Sequence, residues 1–170
     1  SVDFVLEAII EDLEIKKTAF CDLDAICGPE VIFATNTSSM SVTTIAAATL
    51  RPDKVVGMHF FNPPQVMKLV EIVMGYGTSD TTLETVKDLA NRLDKTAVGA
   101  KKDTPGFIVN RLLFAQFLEA IRMYEEGVAS KEDIDKTLKL AFGHPMGQFE
   151  LADFSGLDIE PPSCESLTKV

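Results

Sequence analysis

The chain contains one histidine and one glutamate whose spacing favours acid–base chemistry. His59 and Glu71 lie in two successive apolar runs, Val55–Phe61 and Lys68–Met74. The seven residues from Asn62 to Lys68, the last of which begins the second run, include two prolines. Because a parallel crossover needs a dozen or more residues, we expect neighbouring antiparallel strands. A register that pairs Phe61 with Leu69 places the histidine directly opposite the glutamate, on the same face of the sheet.

A histidine and a glutamate paired in this way can transfer protons. The carboxylate accepts the N–H of one ring nitrogen, which fixes the tautomer, stabilises positive charge on the ring and leaves the other nitrogen for a substrate. The alternative is a pair that meets on a solvated sheet face and has no chemical role. Both strands are otherwise apolar, and charge in a buried strand is costly unless it serves a function. The pattern therefore favours the catalytic interpretation.

A polar loop, Asn36-Thr37-Ser38-Ser39, follows another predicted strand, Val31–Thr35. Open α/β sheets bind their ligands at the carboxyl ends of strands, where this loop lies. Ser38 can donate a hydrogen bond to a substrate oxygen, and Asn36 can hold the loop in place. A helix cap formed by a serine or threonine explains the same run equally well.

Three further polar residues are candidates for binding. Asn110 lies about one turn into a long predicted helix, where its amide either faces water or hydrogen-bonds a ligand in a cleft. Glu11 and Lys16 follow the first predicted strand. A carboxylate can hold ribose hydroxyls and a lysine can reach a nucleotide. The ordinary alternative is a solvated charge pair on a helix surface.

The sequence predicts neither a metal site nor a nucleophile motif. None of its histidines and cysteines has metal-ligand spacing, and we expect incidental thiols in a reducing compartment at Cys21, Cys27 and Cys164. We interpret His144, which precedes Pro145, as structural. The sequence has no GxSxG motif and no P-loop.

The elements that must position these residues alternate between strands and helices. We predict strands at Val2–Ile10, Val31–Thr35, Val55–Phe61, Lys68–Met74 and Thr96–Lys101. We predict helices at Asp12–Ile26, Ile45–Leu50 and Thr78–Leu93. This order favours an α/β fold with right-handed crossovers. After a boundary near Asp103 the apolar period becomes helical, with helices ending at Gly127 and Gly143.

Composition narrows the possible partners. The 170 residues are 46% hydrophobic, which is enough for a buried core. The net charge of −10 argues against nucleic acid or an anionic membrane as a partner, because both need a basic footprint. The negative net charge is compatible with an anionic substrate, because binding such a substrate needs only a local cluster of lysines or N–H groups. No apolar stretch approaches the length of a membrane span.

Taken together, four blocks of the sequence resemble the 3-hydroxyacyl-CoA dehydrogenases, most closely the bacterial 3-hydroxybutyryl-CoA branch. They follow the family's order and approximate spacing: NTSS (36–39), GMHFFNP (57–63), MKLVE (67–71) and TPGFIVNR (104–111). The resemblance covers about residues 2–159. It implies part of a Rossmann-type NAD-binding sheet over residues 1–102, followed by an all-α C-terminal domain over residues 103–159 through which the family dimerises.

The resemblance also implies roles for individual residues. His59 corresponds to the family's catalytic histidine and Glu71 to its carboxylate partner. Ser38 and Asn110 match residues that contact the substrate carbonyl during catalysis. The positions that match contacts to NAD are Glu11, Lys16, Ser38 and Asn62. The implied reaction interconverts (S)-3-hydroxyacyl-CoA and 3-ketoacyl-CoA, in a homodimer of the cytoplasm or of a mitochondrial matrix.

The sequence departs from the family at both ends. It contains no GxGxxG fingerprint, so we expect its first strand to correspond to the family's fourth, with an exposed edge, and the isolated chain to bind NAD poorly. We expect a disordered or foreign tail at 160–170. Two alternatives stay open. One is a dehydrogenase of free hydroxy acids, which uses a lysine as its acid–base group. The other is a catalytically impaired fragment that serves only as a helical dimerisation module.

Overall fold

The computed structural model describes residues 2–156. The chain divides into two compact units, Ser1–Phe107 and Ile108–Val170. The domain boundary after residue 102 stays a prediction, and the expected tail, 160–170, lies outside the described residues. Among the helices described, none is long and apolar enough to cross a membrane.

The first unit is built on a five-stranded sheet with strand order β1-β2-β3-β4-β5. The strands are β1 (Phe4–Glu7), β2 (Ile32–Thr35), β3 (Val55–Phe60), β4 (Leu69–Val73) and β5 (Thr96–Ala100). Only β3 and β4 are antiparallel neighbours; the other neighbouring pairs are parallel. The α/β fold and the antiparallel hairpin are therefore confirmed. The loop between β3 and β4 contains a cis peptide bond at Asn62–Pro63.

Three helices connect the strands, and each begins at a residue whose side chain caps it. They are α1 (Leu13–Ile26), α2 (Val42–Ala46) and α3 (Asp80–Arg92), and a single 3₁₀ turn, Pro52–Lys54, precedes β3. Asp12, Ser41 and Ser79 each accept a backbone N–H from the first turn of the helix that follows. Since Ser41 caps α2, the interpretation of the polar loop (36–39) as a helix cap is wrong.

The sheet separates two different layers of side chains. On one face, alternate residues of β3 and β4, including Met58 and Ile72, pack with Val86 and Ala90 of α3. Side chains alternate between the two faces of a strand, so His59 and Glu71 belong to the opposite face. α2 lies close to that face, because a Cβ built on Gly57 would meet Val42 of α2 at 2.9 Å.

β1 lies at one edge of the described sheet, as expected. Its Leu6 remains 42% exposed, and the apolar residues Ile9 and Ile10 that follow are also exposed. Glu7, which follows Leu6 and points to the other face of the strand, is different, because it pairs with Thr35 of β2 and is buried. The edge strand therefore carries an exposed apolar side and one buried charge.

The second unit consists of helices in its described part: α4 (Val109–Glu125), α5 (Lys131–Phe142) and α6 (Gln148–Ser155). Ser130 caps α5 by accepting the Asp133 N–H. α6 is an addition to the predicted elements. The buried Asp135 of α5 caps it by accepting the backbone N–H groups of Phe149 and Glu150.

Candidate active site

His59 and Glu71 form a hydrogen-bonded pair between two neighbouring strands. They are direct partners in the β3–β4 register, and His59 Nδ1 lies 2.8 Å from Glu71 Oε2. The His59 side chain is 7% exposed and that of Glu71 is fully buried. The predicted register and shared face are confirmed. Because Nδ1 faces the carboxylate, Nε2 is the ring nitrogen that can exchange a proton with a substrate.

Two aromatic rings restrain the imidazole. The centroid of the Phe61 ring lies 4.6 Å from that of His59, and the Phe107 ring lies 5.7 Å away with its edge towards the imidazole. Phe107 is buried and has a positive φ of 47°, a conformation that is uncommon for a bulky residue. The apolar rings exclude water from the sides of the imidazole and limit its rotation.

Asn36 joins the polar loop (36–39) to the strand that carries the histidine. Its Oδ1 accepts the backbone N–H of Phe60 at 2.8 Å. The loop therefore follows β2 directly and is anchored to the last residue of β3. The predicted holding role of Asn36 is confirmed, and the bond brings Ser38 to the same edge of the sheet as His59.

Glu11 holds the other side of the polar loop. Its Oε1 accepts the Ser38 N–H at 2.9 Å and also the Thr37 hydroxyl. Burial raises the pKa of Glu11, but the hydrogen bonds from Thr37 and Ser38 and the charge of Lys16 outweigh it, so the pKa lies below its ordinary value. Glu11 is therefore an ionised carboxylate at neutral pH, and its side chain is 36% exposed.

Lys16 is buried, so its interpretation as half of a solvated charge pair is wrong. Its side chain is 1% exposed, and Nζ lies 2.7 Å from Glu7 Oε1 and 3.1 Å from Glu11 Oε2. Nζ also donates to the Ile9 carbonyl at 3.3 Å. The three N–H groups of the ammonium thus have three protein acceptors within reach.

Glu7 is the site residue that the sequence analysis missed. It is a buried carboxylate that accepts the Thr35 hydroxyl at 2.7 Å in addition to bonding Lys16. The signal was available, because Glu7 is the one charge inside an otherwise apolar run, with Asp3 at the start of that run, a pattern like the one that singled out His59 and Glu71.

The remaining candidates lie in separate parts of the chain. Asn62 is exposed in the loop after β3, three residues beyond His59. Asn110 is the second residue of α4 in the second unit and is half-buried; the helix begins at Val109, so Asn110 is nearer its start than expected. The His144 ring lies 6.1 Å from that of Phe142, and the described residues contain no group of side chains suited to a metal ion.

Comparison with known proteins relates this architecture to one family. The sequence model for the NAD binding domain of 3-hydroxyacyl-CoA dehydrogenase matches residues 1–104, and that for the C-terminal domain of the same enzyme matches residues 106–170. The chain belongs to the 3-hydroxyacyl-CoA dehydrogenase family. The resemblance is confirmed, and the first unit is part of the NAD-binding domain of this family.

Individual members of the 3-hydroxyacyl-CoA dehydrogenase family are similar over most of the chain. A Clostridioides difficile protein named 3-hydroxybutyryl-CoA dehydrogenase is 50% identical over 158 residues, which are 93% of this chain and 56% of the relative. Mitochondrial hydroxyacyl-coenzyme A dehydrogenase of Homo sapiens is 54% identical over 158 residues, 93% of this chain and 50% of the relative. The chain spans about half the length of these curated relatives.

Solved structures of the family have the same fold. The crystal structure of 3-hydroxybutyryl-CoA dehydrogenase from Escherichia coli K12 matches with a TM-score of 0.94 and 43% identity, covering 99% of this chain and 36% of that chain. The (S)-3-hydroxybutyryl-CoA dehydrogenase of Ralstonia eutropha matches with a TM-score of 0.92 and 45% identity, covering 98% of this chain and 59% of that chain. The mixed sheet and helical unit are thus a family arrangement.

Proposed function

We propose that this chain carries the acid–base part of an NAD-dependent dehydrogenase that interconverts (S)-3-hydroxyacyl-CoA and 3-ketoacyl-CoA. The observation that carries the proposal is the buried His59–Glu71 pair, with Nδ1 and Oε2 2.8 Å apart. Family membership supports the reaction class. Relatives named 3-hydroxybutyryl-CoA dehydrogenase support a short acyl chain.

His59 is the proton acceptor and donor of the proposed reaction. In oxidation, Nε2 accepts the proton of the substrate 3-hydroxyl while the C3 hydride leaves, and Glu71 stabilises the resulting imidazolium. In reduction, the imidazolium returns the proton to the forming alkoxide. NAD, when bound, supplies the hydride acceptor. Ser38 and Asn110 are the proposed catalytic hydrogen-bond donors to the substrate oxygen and carbonyl.

The residues at the carboxyl ends of β1 and β2 fit a dinucleotide. Glu11 is a partly exposed carboxylate and can accept hydrogen bonds from ribose hydroxyls, while Ser38 lies beside it. Asn62, exposed in the loop beyond β3, is the proposed residue on the nicotinamide side. Lys16 belongs to the cofactor side through its ion pair with Glu11.

The proposed partners and compartment follow from the same family. The substrate is an acyl-CoA thioester such as acetoacetyl-CoA or 3-hydroxybutyryl-CoA, and we propose a homodimer formed through the helical unit. We propose the cytoplasm as the compartment, or the mitochondrial matrix in a eukaryote, which agrees with the bacterial and mitochondrial relatives. The acidic net charge makes nucleic acid and anionic membranes poor partners.

NADH oxidation that depends on acetoacetyl-CoA tests the proposal. We expect His59→Gln to lower turnover by about 10²-fold or more without altering the circular dichroism spectrum, because the variant removes the acid–base group and keeps the size of the side chain. Free acetoacetate should be a much poorer substrate than the thioester. Equal turnover of the parent and His59→Gln contradicts the assignment, and preference for the free acid supports a dehydrogenase of free hydroxy acids.

The second candidate is a catalytically impaired chain whose helical unit serves only in dimerisation. Apolar side chains of the second unit that stay exposed, among them Leu112, Leu140 and Phe142, favour an interface on these helices. Light scattering together with the NADH assay separates the two. A dimer without acetoacetyl-CoA-dependent NADH oxidation supports the second candidate, whereas turnover that requires His59 supports the first.

A further inference from the structure

Glu7 is a buried carboxylate that the proposed reaction does not use. Its two oxygens accept hydrogen bonds from three donors on different parts of the unit. Oε1 accepts from Lys16 Nζ at 2.7 Å and from the Ile9 N–H at 2.7 Å, and Oε2 accepts from the Thr35 hydroxyl at 2.7 Å. The carboxylate therefore connects β1, α1 and β2 at one point.

Lys16 continues the connection from Glu7 towards the surface. Its ammonium lies between two carboxylates, 2.7 Å from Glu7 Oε1 and 3.1 Å from Glu11 Oε2. A buried ammonium is stable only where carboxylates and carbonyls replace its water. Glu7 is the more buried of the two partners and provides the shorter contact, so it fixes where the ammonium lies.

Glu11 completes the connection at the polar loop (36–39). Its Oε1 accepts the Thr37 hydroxyl and the Ser38 N–H, while its Oε2 is the atom near Lys16. Thr37 Oγ1 in turn accepts the Met40 N–H at 2.9 Å. An unbroken series of charged and polar contacts thus runs from the buried Glu7 to the backbone of Ser38.

We infer that Glu7 is a positioning residue which, through Lys16 and Glu11, holds the Thr37–Ser38 backbone in place on the cofactor side of the site. The part that concerns the cofactor rests on the proposed function; the part that concerns the loop does not. The Lys16 ammonium contacts the carboxylates of both Glu7 and Glu11, so it sets the distance between these two carboxylates. The loop that is bonded to the outer carboxylate is then held relative to β1.

A charge-neutral double substitution tests the inference. Glu7→Gln/Lys16→Met removes the buried ion pair without leaving a single buried charge, so the fold is retained. Glu14→Gln/Lys17→Met is the matched control. It makes the same two chemical changes at an ion pair on α1, the helix that carries Lys16, and the glutamate of that pair is 77% exposed. Glu7→Gln alone, which keeps the shape of the side chain, is the second variant.

Amide hydrogen exchange followed by NMR is the primary measurement. In the double variant we expect the Ser38 amide to exchange about tenfold faster, while the amides of β3, β4 and β5 keep their protection. The control should leave both sets unchanged. If Ser38 keeps its protection, or if all amides lose protection equally, Glu7 is not a positioning residue for the loop.

Steady-state kinetics tests the link to the cofactor. We expect Glu7→Gln, which leaves Lys16 and Glu11 in place, to raise KM for NADH several-fold. We also expect it to lower kcat at saturating NADH, because the loop that it loosens carries Ser38 of the proposed reaction, whereas the Glu14→Gln/Lys17→Met control should change neither constant. If the Ser38 amide exchanges faster but KM for NADH does not change, the part of the inference that concerns the cofactor is wrong. If the parent chain itself lacks activity, the proposed function fails, and hydrogen exchange alone decides the positioning role.

Discussion

Asn36 accepts the backbone N–H of Phe60 through its Oδ1 at 2.8 Å, which ties the polar loop (36–39) to the strand that carries His59. This bond adds to the pairing of β2 with β3, and it links the loop that carries the substrate-side serine of the proposed reaction to the strand that carries the catalytic histidine.

Replacing Asn36 by alanine should loosen this connection. The variant loses one hydrogen bond to a backbone N–H, so we expect the free energy of unfolding to fall by about 1 kcal/mol. We also expect a larger relative fall in turnover, because the loop that carries Ser38 loses its side-chain bond to the strand that carries His59. Urea unfolding and the NADH assay measure the two effects. Asn36→Asp keeps an acceptor and should recover most of the loss; equal defects in both variants contradict the prediction.

Glu71→Gln should impair turnover and spare the strand pairing. The amide oxygen can still accept the Nδ1–H of His59, but it cannot stabilise the imidazolium as a carboxylate does, so we expect kcat to fall by about 10²-fold. The kcat of Glu71→Gln and of His59→Gln/Glu71→Gln should be compared. Adding His59→Gln to Glu71→Gln should lower kcat much less than adding it to the parent does. Equal decreases in kcat would mean that the two residues act independently, which contradicts the prediction.

Gly57→Ala should destabilise the first unit. An added Cβ would lie 2.8 Å from Val73 Cβ and 2.9 Å from Val42 Cγ2, so β4 or α2 must shift. We expect a loss of about 1–3 kcal/mol in the free energy of unfolding. Gly99→Ala in β5 is the matched control, since its nearest neighbour is the Lys87 Cε at 3.9 Å. A Gly57 variant as stable as the Gly99 variant is incompatible with this packing.

Arg51→Lys should weaken the end of α1. The guanidinium donates to the carbonyls of Asp24 at 2.9 Å and Cys27 at 3.2 Å, and it lies 5.0 Å from the ring centroid of Phe33. A lysine cannot reproduce this planar set of donors, so we expect a loss of about 1–3 kcal/mol by thermal unfolding. Arg92→Lys, at the exposed end of α3, should change stability by less than about 0.5 kcal/mol. Equal effects contradict the capping role.

The pH dependence of the Ser38 amide should report the ionisation of Glu11. The folded pKa of Glu11 lies below its ordinary value of 4.5, so its stabilising bonds are fully present above 4.5 and are lost as the pH falls through the lower folded pKa. The proton chemical shift of the Ser38 amide should therefore titrate with a midpoint below 4.5. Glu11→Gln should abolish this step, whereas a midpoint at or above 4.5 in the parent contradicts the assignment.

Local spacing predicted the hairpin because few alternatives exist for so short a connection. Seven residues cannot support a parallel crossover, and strand alternation then fixes which residues share a face. His59 and Glu71 could therefore be paired from the sequence. The N-caps at Ser79 and Ser130 were likewise predictable, because a cap and the amide it binds are three residues apart.

Contacts between residues that are distant in the sequence could not be predicted from local spacing. The sequence left a solvated charge open as the alternative for Lys16, because its partner Glu7 lies nine residues away, on a strand against which α1 must first pack. The sequence analysis did not predict α6 for a related reason. The side chain that caps this helix belongs to Asp135, which lies 13 residues before Gln148, the first residue of the helix.

By itself the sequence determined the order of strands and helices and the register that sets the imidazole against the carboxylate, since both depend on side-chain period and loop length. Only the tertiary structure decided that the buried Glu7 and Lys16 and the partly exposed Glu11 form one charge network joined to Ser38. The physical reason is that burial of a charge depends on how β1, α1 and β2 pack together.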